Sequence, residues 1–252
     1  MDRMIYTALN ALAVRRDTKI TQANNLANQT VPGFRRDLPN EGGTRFLQTD
    51  GIGSTRAFRV EDGPAGFSDE AGFLNPTGEA LDVAIADEGY FYAQPQDGEP
   101  SLTRRGDLRV GADGILRNGA GDAMLDVNLA PQQVPPFRSM LINGLGEVRI
   151  EPMNGVPGET QLIGTLATVV PGKDVTLRKS LDGRIRVPDG ALPPPNQQAE
   201  VLQGTLEGSN VNPVEELISS IEIQREFELG VRMMSTAKEM DEAGARLMRA
   251  PE

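Results

Sequence analysis

Residues 81–93 read Leu81-Asp82-Val83-Ala84-Ile85-Ala86-Asp87-Glu88-Gly89-Tyr90-Phe91-Tyr92-Ala93. Leu81, Val83 and Ile85 alternate with Asp82, Ala84 and Ala86, which is the period of two of a β-strand. An acidic turn ending in Gly89 separates them from a second strand candidate, Tyr90–Ala93. Working outward, Asx-Gly pairs start at Asp50, Asp62, Asp97, Asp113, Asn118, Asn143, Asn154, Asp182 and Asp189. Such pairs supply the positive φ angles of tight hairpins, so the middle of the chain reads as antiparallel β. Further strand candidates are Leu108–Val110, Glu147–Ile150, Gly164–Val170, Val175–Arg178 and Ile185–Val187. Pro193-Pro194-Pro195-Asn196-Gln197-Gln198 reads as an extended linker or rim loop. Residues 35–72 show weak periodicity and many breakers, the pattern of an irregular connection.

The two ends are written differently. No Gly or Pro precedes Pro32, and from Val214 to Ala250 there is no Pro and only Gly230 and Gly244. Both ends are therefore permitted to be long helices. Ile5, Leu9, Leu12, Ile20, Ala23 and Ala27 form a helical stripe over Met4–Gln29, interrupted by Arg16, and the helix should stop before Pro32-Gly33. At the other end Asn212 stands at N-cap, Pro213 at N1 and Glu215 at N3, a strong start signal. From there a helix should run to about Arg249. One of its stripes is Leu217, Ile221, Gln224, Phe227, Val231 and Met234; a second is Leu229, Met233, Ala237, Met240, Ala243 and Leu247. Two stripes need more than one neighbour, either the chain's own β domain or other molecules.

Composition removes several chemistries. The 252 residues include no His and no Cys. A Ser-His or Cys-His nucleophile pair, a His/Cys zinc site and a disulfide are all impossible. The formal net charge is −11, and a phosphate-tracking groove needs a basic surplus, which argues against a nucleic-acid partner. No apolar run approaches the ~18 residues of a membrane helix, and the N-terminus lacks the apolar core of a secretory signal. The expectation is a chain without membrane insertion that either stays in the cytosol or leaves by a route that removes no signal. Charge also differs between the ends. Arg3, Arg15, Arg16 and Lys19 outweigh Asp2 and Asp17, whereas residues 207–252 are acidic, so the two terminal helices are expected to pair.

Asn24-Asn25-Leu26-Ala27-Asn28 followed by Pro32-Gly33-Phe34 resembles the N-terminal signature of flagellar axial proteins of the rod and hook. Met1-Asp2-Arg3-x-Ile5-Tyr6-Thr7-Ala8 looks like its proximal-rod branch. The 81–91 stretch, Thr103-Arg104-Arg105-Gly106 and Asp113-Gly114 resemble the family's β region. Leu206-Glu207-Gly208-Ser209-Asn210-Val211-Asn212 with Arg225-x-Phe227-Glu228 is similar to its C-terminal signature. The resemblance implies a structural subunit of the basal-body rod, not a catalyst, with no cofactor and no metal. It implies export by the flagellar type III apparatus without a cleaved signal peptide, and assembly in the periplasm with other rod subunits and copies of itself into a hollow drive shaft. A distal-rod or hook-related subunit is the alternative within the family.

The expected fold is therefore α+β: long N- and C-terminal helices pair as a helical, coiled-coil-like core around a mainly antiparallel β middle. Residues 1–31 form the first helical segment, 32–72 an irregular connection, 73–206 the β-rich outer domain, and 207–252 the second helical segment. The expected assembly interface comprises Ile5, Leu9, Leu12, Ile20, Asn24, Asn25, Leu26, Ala27, Asn28, Pro32, Gly33, Phe34, Asn210, Val211, Asn212, Leu217, Ile221, Arg225, Phe227, Met234, Met240 and Leu247. The amides of Asn24, Asn25 and Asn28 carry donors and acceptors able to bond across subunits, though they equally suit a solvated face. Leu26 and Phe34 equally suit an ordinary core, and Pro32-Gly33 a plain helix stop. An enzymatic alternative, a carboxylate-dependent glycosidase, would draw on Asp82, Asp87 and Glu88 and would need one raised pKa and a cleft.

Overall fold

A computed structural model describes residues 2–39, 42–48, 55–61, 66–180, 182–188 and 190–248. The chain divides into two compact units. One comprises residues 1–27, 37–66 and 212–252, and the other residues 28–36 and 67–211.

The first unit holds α1 (Asp2–Ala27) and α2 (Pro213–Met248). The α2 start follows the capping chemistry. The Asn212 Oδ1 accepts from the Val214 N–H at 3.1 Å, its carbonyl accepts from the Glu216 N–H at 3.1 Å, and its amide donates to Glu215 at 3.0 Å. The same unit also holds an antiparallel hairpin that packs on α1, Gly42–Gln48 with Thr55–Glu61, in register from Gly42 opposite Glu61 to Gln48 opposite Thr55. This is ordered β structure inside the stretch expected to be an irregular connection. It belongs to the unit that holds the helices.

The expected coiled-coil-like helical core is not what forms. Among the described residues there are two helices, one at each end, and 25% of the chain is helical around a mostly antiparallel β middle. The groups that bridge α1 and α2 are largely polar: Arg15 to Glu226 at 2.8 Å, Gln22 to Ser219, and Asn25 to Glu216 at 3.3 Å. Their numbers rise in one helix as they fall in the other, so the helices run antiparallel. The apolar part is narrow. Ala8, Ile223 and Ala237 are buried, and Gly230 admits Leu12 so closely that a Cβ there would lie 2.8 Å from the Leu12 Cδ2. A coiled-coil seam requires large apolar knobs in successive layers. Here Leu9, Ile20, Leu26, Leu217, Ile221 and Phe227 face solvent instead. One neighbouring helix can cover only one of the stripes that α2 carries.

The second unit is antiparallel β. Its largest sheet runs Arg178–Lys179, Ile185–Arg186, Ser101–Thr103, Tyr90–Gln94, Ala123–Met124, Leu116–Asn118, Leu108–Val110, with Thr168–Val169 also paired to Tyr90–Gln94. A three-stranded sheet joins Phe137–Ile142, Glu147–Pro152 and Gln161–Thr165. Strand Tyr90–Gln94 shows what the period of two does when both faces are covered. Phe91 and Ala93 enter one core cluster with Val83, Ile85, Leu116 and Ile150, while Tyr90 and Tyr92 enter a second with Leu102, Leu125 and Val169. The Asn143-Gly144 pair turns the chain by a different device from the one its sequence indicates. The Asn143 Oδ1 accepts from the Leu145 and Glu147 N–H groups, and the positive φ of 78° falls on Gly146.

Two long-range pairings close this unit. Val201–Gln203 pairs with Val83–Ile85, and Thr205–Glu207 pairs with Leu74–Pro76. The last strands thus lie against the first, and Ala199 and Val201 complete the main core cluster. The Pro193–Gln198 tract is tied down. Tyr92 donates its hydroxyl to the Pro193 carbonyl, and the Gln197 Oε1 accepts from the Thr168 N–H at 2.6 Å and hydroxyl at 3.0 Å.

Candidate assembly surface and the junction of the signature motifs

The apolar members of the expected interface and its polar members have different fates. On α1, Leu9, Ile20 and Leu26 are exposed, Ile20 to 62%. On α2, Leu217 is exposed to 56% and Phe227 to 43%, and Ile221 and Met240 are also exposed. Ala27 and Arg225 are exposed as well, while Leu12 and Met234 are half-buried. Ile5 and Leu247 belong to the helices, but their side chains lie outside the described part. Large apolar groups left together in water on helix faces are the mark of a surface covered by a partner.

The polar signature residues bond within the chain. Asn25 is buried. Its Oδ1 accepts from the Asp37 N–H at 2.8 Å, and its Nδ2 donates to the Asp37 carbonyl at 2.9 Å and to Glu216 at 3.3 Å. Asn24 donates to the Asp37 carboxylate at 2.7 Å. Asn28 supplies its carbonyl to the Val31 N–H, and Asn212 caps α2. Asn210 accepts from the Arg36 N–H at 2.6 Å and donates to the Ser68 and Glu70 carbonyls, and Val211 is buried. Pro32 is half-buried, and the half-buried Phe34 ring carries the Lys179 ammonium 4.0 Å from its centroid.

The β-rich unit also holds a group that the sequence did not single out as a site. Arg35, Arg104 and Glu207 are 2%, 4% and 2% exposed. The Glu207 carboxylate bridges both guanidinium groups, to Arg35 at 3.0 Å and to Arg104 at 3.0 Å. It also accepts from the Gly72 N–H at 2.9 Å, and the Glu207 carbonyl accepts from the Gly33 N–H at 2.8 Å. Arg104 reaches the Ile85 and Asp87 carbonyls and lies 5.5 Å from the Tyr90 ring centroid, and Arg35 reaches the Glu70 carbonyl. Burial pulls the Arg104 guanidinium below its ordinary pKa, against the opposing pull of Glu207. Gly33 is required at this junction. Its φ is +66°, and a Cβ would lie 2.3 Å from the Arg104 carbonyl carbon. Removing Glu207 leaves two buried guanidinium groups without a counter-charge, which costs about 3–5 kcal/mol. The signal in the sequence was that Glu207 and Arg104 sit inside the signature motifs Leu206–Asn212 and Thr103–Gly106.

The three carboxylates considered for glycosidase chemistry serve other ends. Asp82 accepts the Thr77 hydroxyl at 2.6 Å, Asp87 lends its carbonyl to Arg104, and Glu88 is exposed.

Residues 202–247 match the family described as "Flagellar basal body rod FlgEFG protein C-terminal". That stretch contains Glu207, the Asn210–Asn212 segment and nearly all of α2. The chain is 29% identical over 255 residues to the flagellar basal-body rod protein FlgF of Salmonella typhimurium, covering 98% of this chain and 99% of the relative. A FlgG rod protein of Buchnera aphidicola is 27% identical over 86% of this chain and 89% of its own length. The FlgF protein of Mesorhizobium japonicum is 30% identical over 253 residues, with 96% and 97% coverage, and on that likeness the chain belongs to the flagellar basal-body rod protein FlgF family.

Proposed function

We propose that the exposed apolar faces of α1 and α2 are the surfaces by which this chain packs into the flagellar rod. As a FlgF family member the chain is a structural subunit of the flagellar basal body, and it assembles with other rod proteins. The observation that carries the packing reading is the exposure of Leu9, Ile20, Leu217, Ile221 and Phe227 on helices bridged to one another by polar pairs such as Asn25–Glu216 and Arg15–Glu226. Burying one such side chain contributes about 1.5–3 kcal/mol, so a handful supplies an interface core. The role is mechanical. The chain reaches the periplasm through the flagellar export apparatus, without a cleaved signal, and meets copies of itself and neighbouring rod subunits there.

The test substitutes Ile221→Asp and Phe227→Asp together in the only copy carried by a flagellated cell. The purified variant should keep the circular dichroism of the parent chain, because neither side chain is buried in the monomer. Basal bodies from those cells should lack the subunit, and swimming should stop. Normal swimming would remove these faces from the interface.

A further inference from the structure

We propose that Glu207 is the closing latch of the β-rich unit: the unit cannot bury Arg35 and Arg104 until strand Thr205–Glu207 arrives, so its two ends join last. Arg35 and Arg104 come from segments far apart in the chain, and both are withdrawn from water. Backbone carbonyls of Glu70, Ile85 and Asp87 receive their N–H groups but carry no net charge. Among the described residues, Glu207 is the one carboxylate bridged to either guanidinium, and it is bridged to both. Burying two like charges without a counter-ion is strongly opposed in a low-dielectric interior. Before Glu207 docks, the Gly33–Arg35 segment and the end of strand Ser101–Thr103 therefore stay hydrated.

The same arrival supplies more than charge. Strand Thr205–Glu207 pairs with Leu74–Pro76, and the preceding Val201–Gln203 pairs with Val83–Ile85 and brings Val201 into the core. Loop closure over so many residues is entropically slow, which places it late in any folding order. By contrast, strand Tyr90–Gln94, although it also takes Thr168–Val169, pairs with Ser101–Thr103 and Ala123–Met124 across far fewer residues. In a chain that emerges from its N-terminus, the unit stays open until residue 207 has emerged. This concerns folding order and stands whether or not the rod packing proposed above is correct.

Pulse-labelling hydrogen exchange during refolding of the full chain tests the order. The Gly33 and Gly72 amides, which donate to Glu207, should gain protection after the Leu125 amide, which donates to the Tyr92 carbonyl. Simultaneous or earlier protection of Gly33 would overturn the proposal. Glu207→Gln keeps the size and removes the charge. In the folded full chain it should lower Gly33 protection on the order of a hundredfold while Leu125 keeps its own. Unchanged Gly33 protection would equally overturn it. Should Glu207→Gln not fold at all, the triple variant Arg35→Met, Arg104→Met, Glu207→Leu decides: recovery of Gly33 protection supports a latch made of charge, and failure to recover rejects it.

Discussion

The surfaces of α1 and α2 and the junction at Glu207 invert each other. On the helices, leucine, isoleucine and phenylalanine face water while an asparagine and a glutamate are buried. At the junction, two arginines and a glutamate are buried in the β unit and bond one another. The difference separates two kinds of interface. At the junction each buried charge touches its opposite within the molecule, although the Arg35 and Arg104 Nε atoms are left without a hydrogen-bond partner. The helix faces differ, because Leu9, Ile20, Leu217, Ile221 and Phe227 are exposed, and apolar area grouped in this way marks an interaction surface. Polar signature residues thus bond within the subunit, and the apolar helix residues are the ones proposed above to pack in the rod.

The comparison can be broken most forcefully at Gly33. Gly33→Ala places a Cβ against the Arg104 backbone at a positive φ, and should destabilise the β unit by about 1–3 kcal/mol in urea unfolding followed by circular dichroism. No change in midpoint would mean that the junction is looser than its contacts indicate. Alkaline titration sharpens the picture of the β interior. Burial pushes the Tyr92 phenol up to about 12 and also raises that of Tyr90, where Asp69 adds to the effect. A raised folded pKa means stability that is complete below the unfolded value of about 10 and is lost as pH rises toward 12. In a Tyr6→Phe variant, which leaves Tyr90 and Tyr92 as the phenols, phenolate absorbance should therefore lag until the unit opens, and a simple titration near pH 10 in a still-folded chain would contradict it. The smallest effect lies at the helix start. Asn212→Ala removes the cap of α2 and should cost about 1 kcal/mol of helix stability in the isolated chain, seen as fraying of the first turn by amide exchange.

Much of the fold was legible in local patterns. The alternation at Val83 and Ile85 and the paired faces of Tyr90–Gln94 follow from a period of two. The boundary of α2 follows from three adjacent residues whose capping bonds form as their chemistry requires. The hairpin within residues 42–61 was not legible, because strand formation there depends on pairing more than on propensity. Strand Arg178–Lys179 lies at the edge of the tract expected from Val175 to Arg178, since its ladder is set by Ile185–Arg186 opposite. The helical pairing was misread for a related reason. Stripes of apolar residues show that a face needs a neighbour, but not whose face that neighbour is.

Asn25 and Glu207 mark where local reading ends. The sequence by itself determined where the backbone is allowed to be helical, where it turns, where α2 begins, and that His and Cys chemistry is absent. Those are properties of a residue and its nearest neighbours. Tertiary structure alone decided that the Asn25 amide is used on Asp37, that Glu207 neutralises Arg35 and Arg104, and that the large apolar residues of both helices remain uncovered. Burial and charge pairing depend on groups that the chain brings together from positions 35, 104 and 207, and no window of neighbouring residues contains that information.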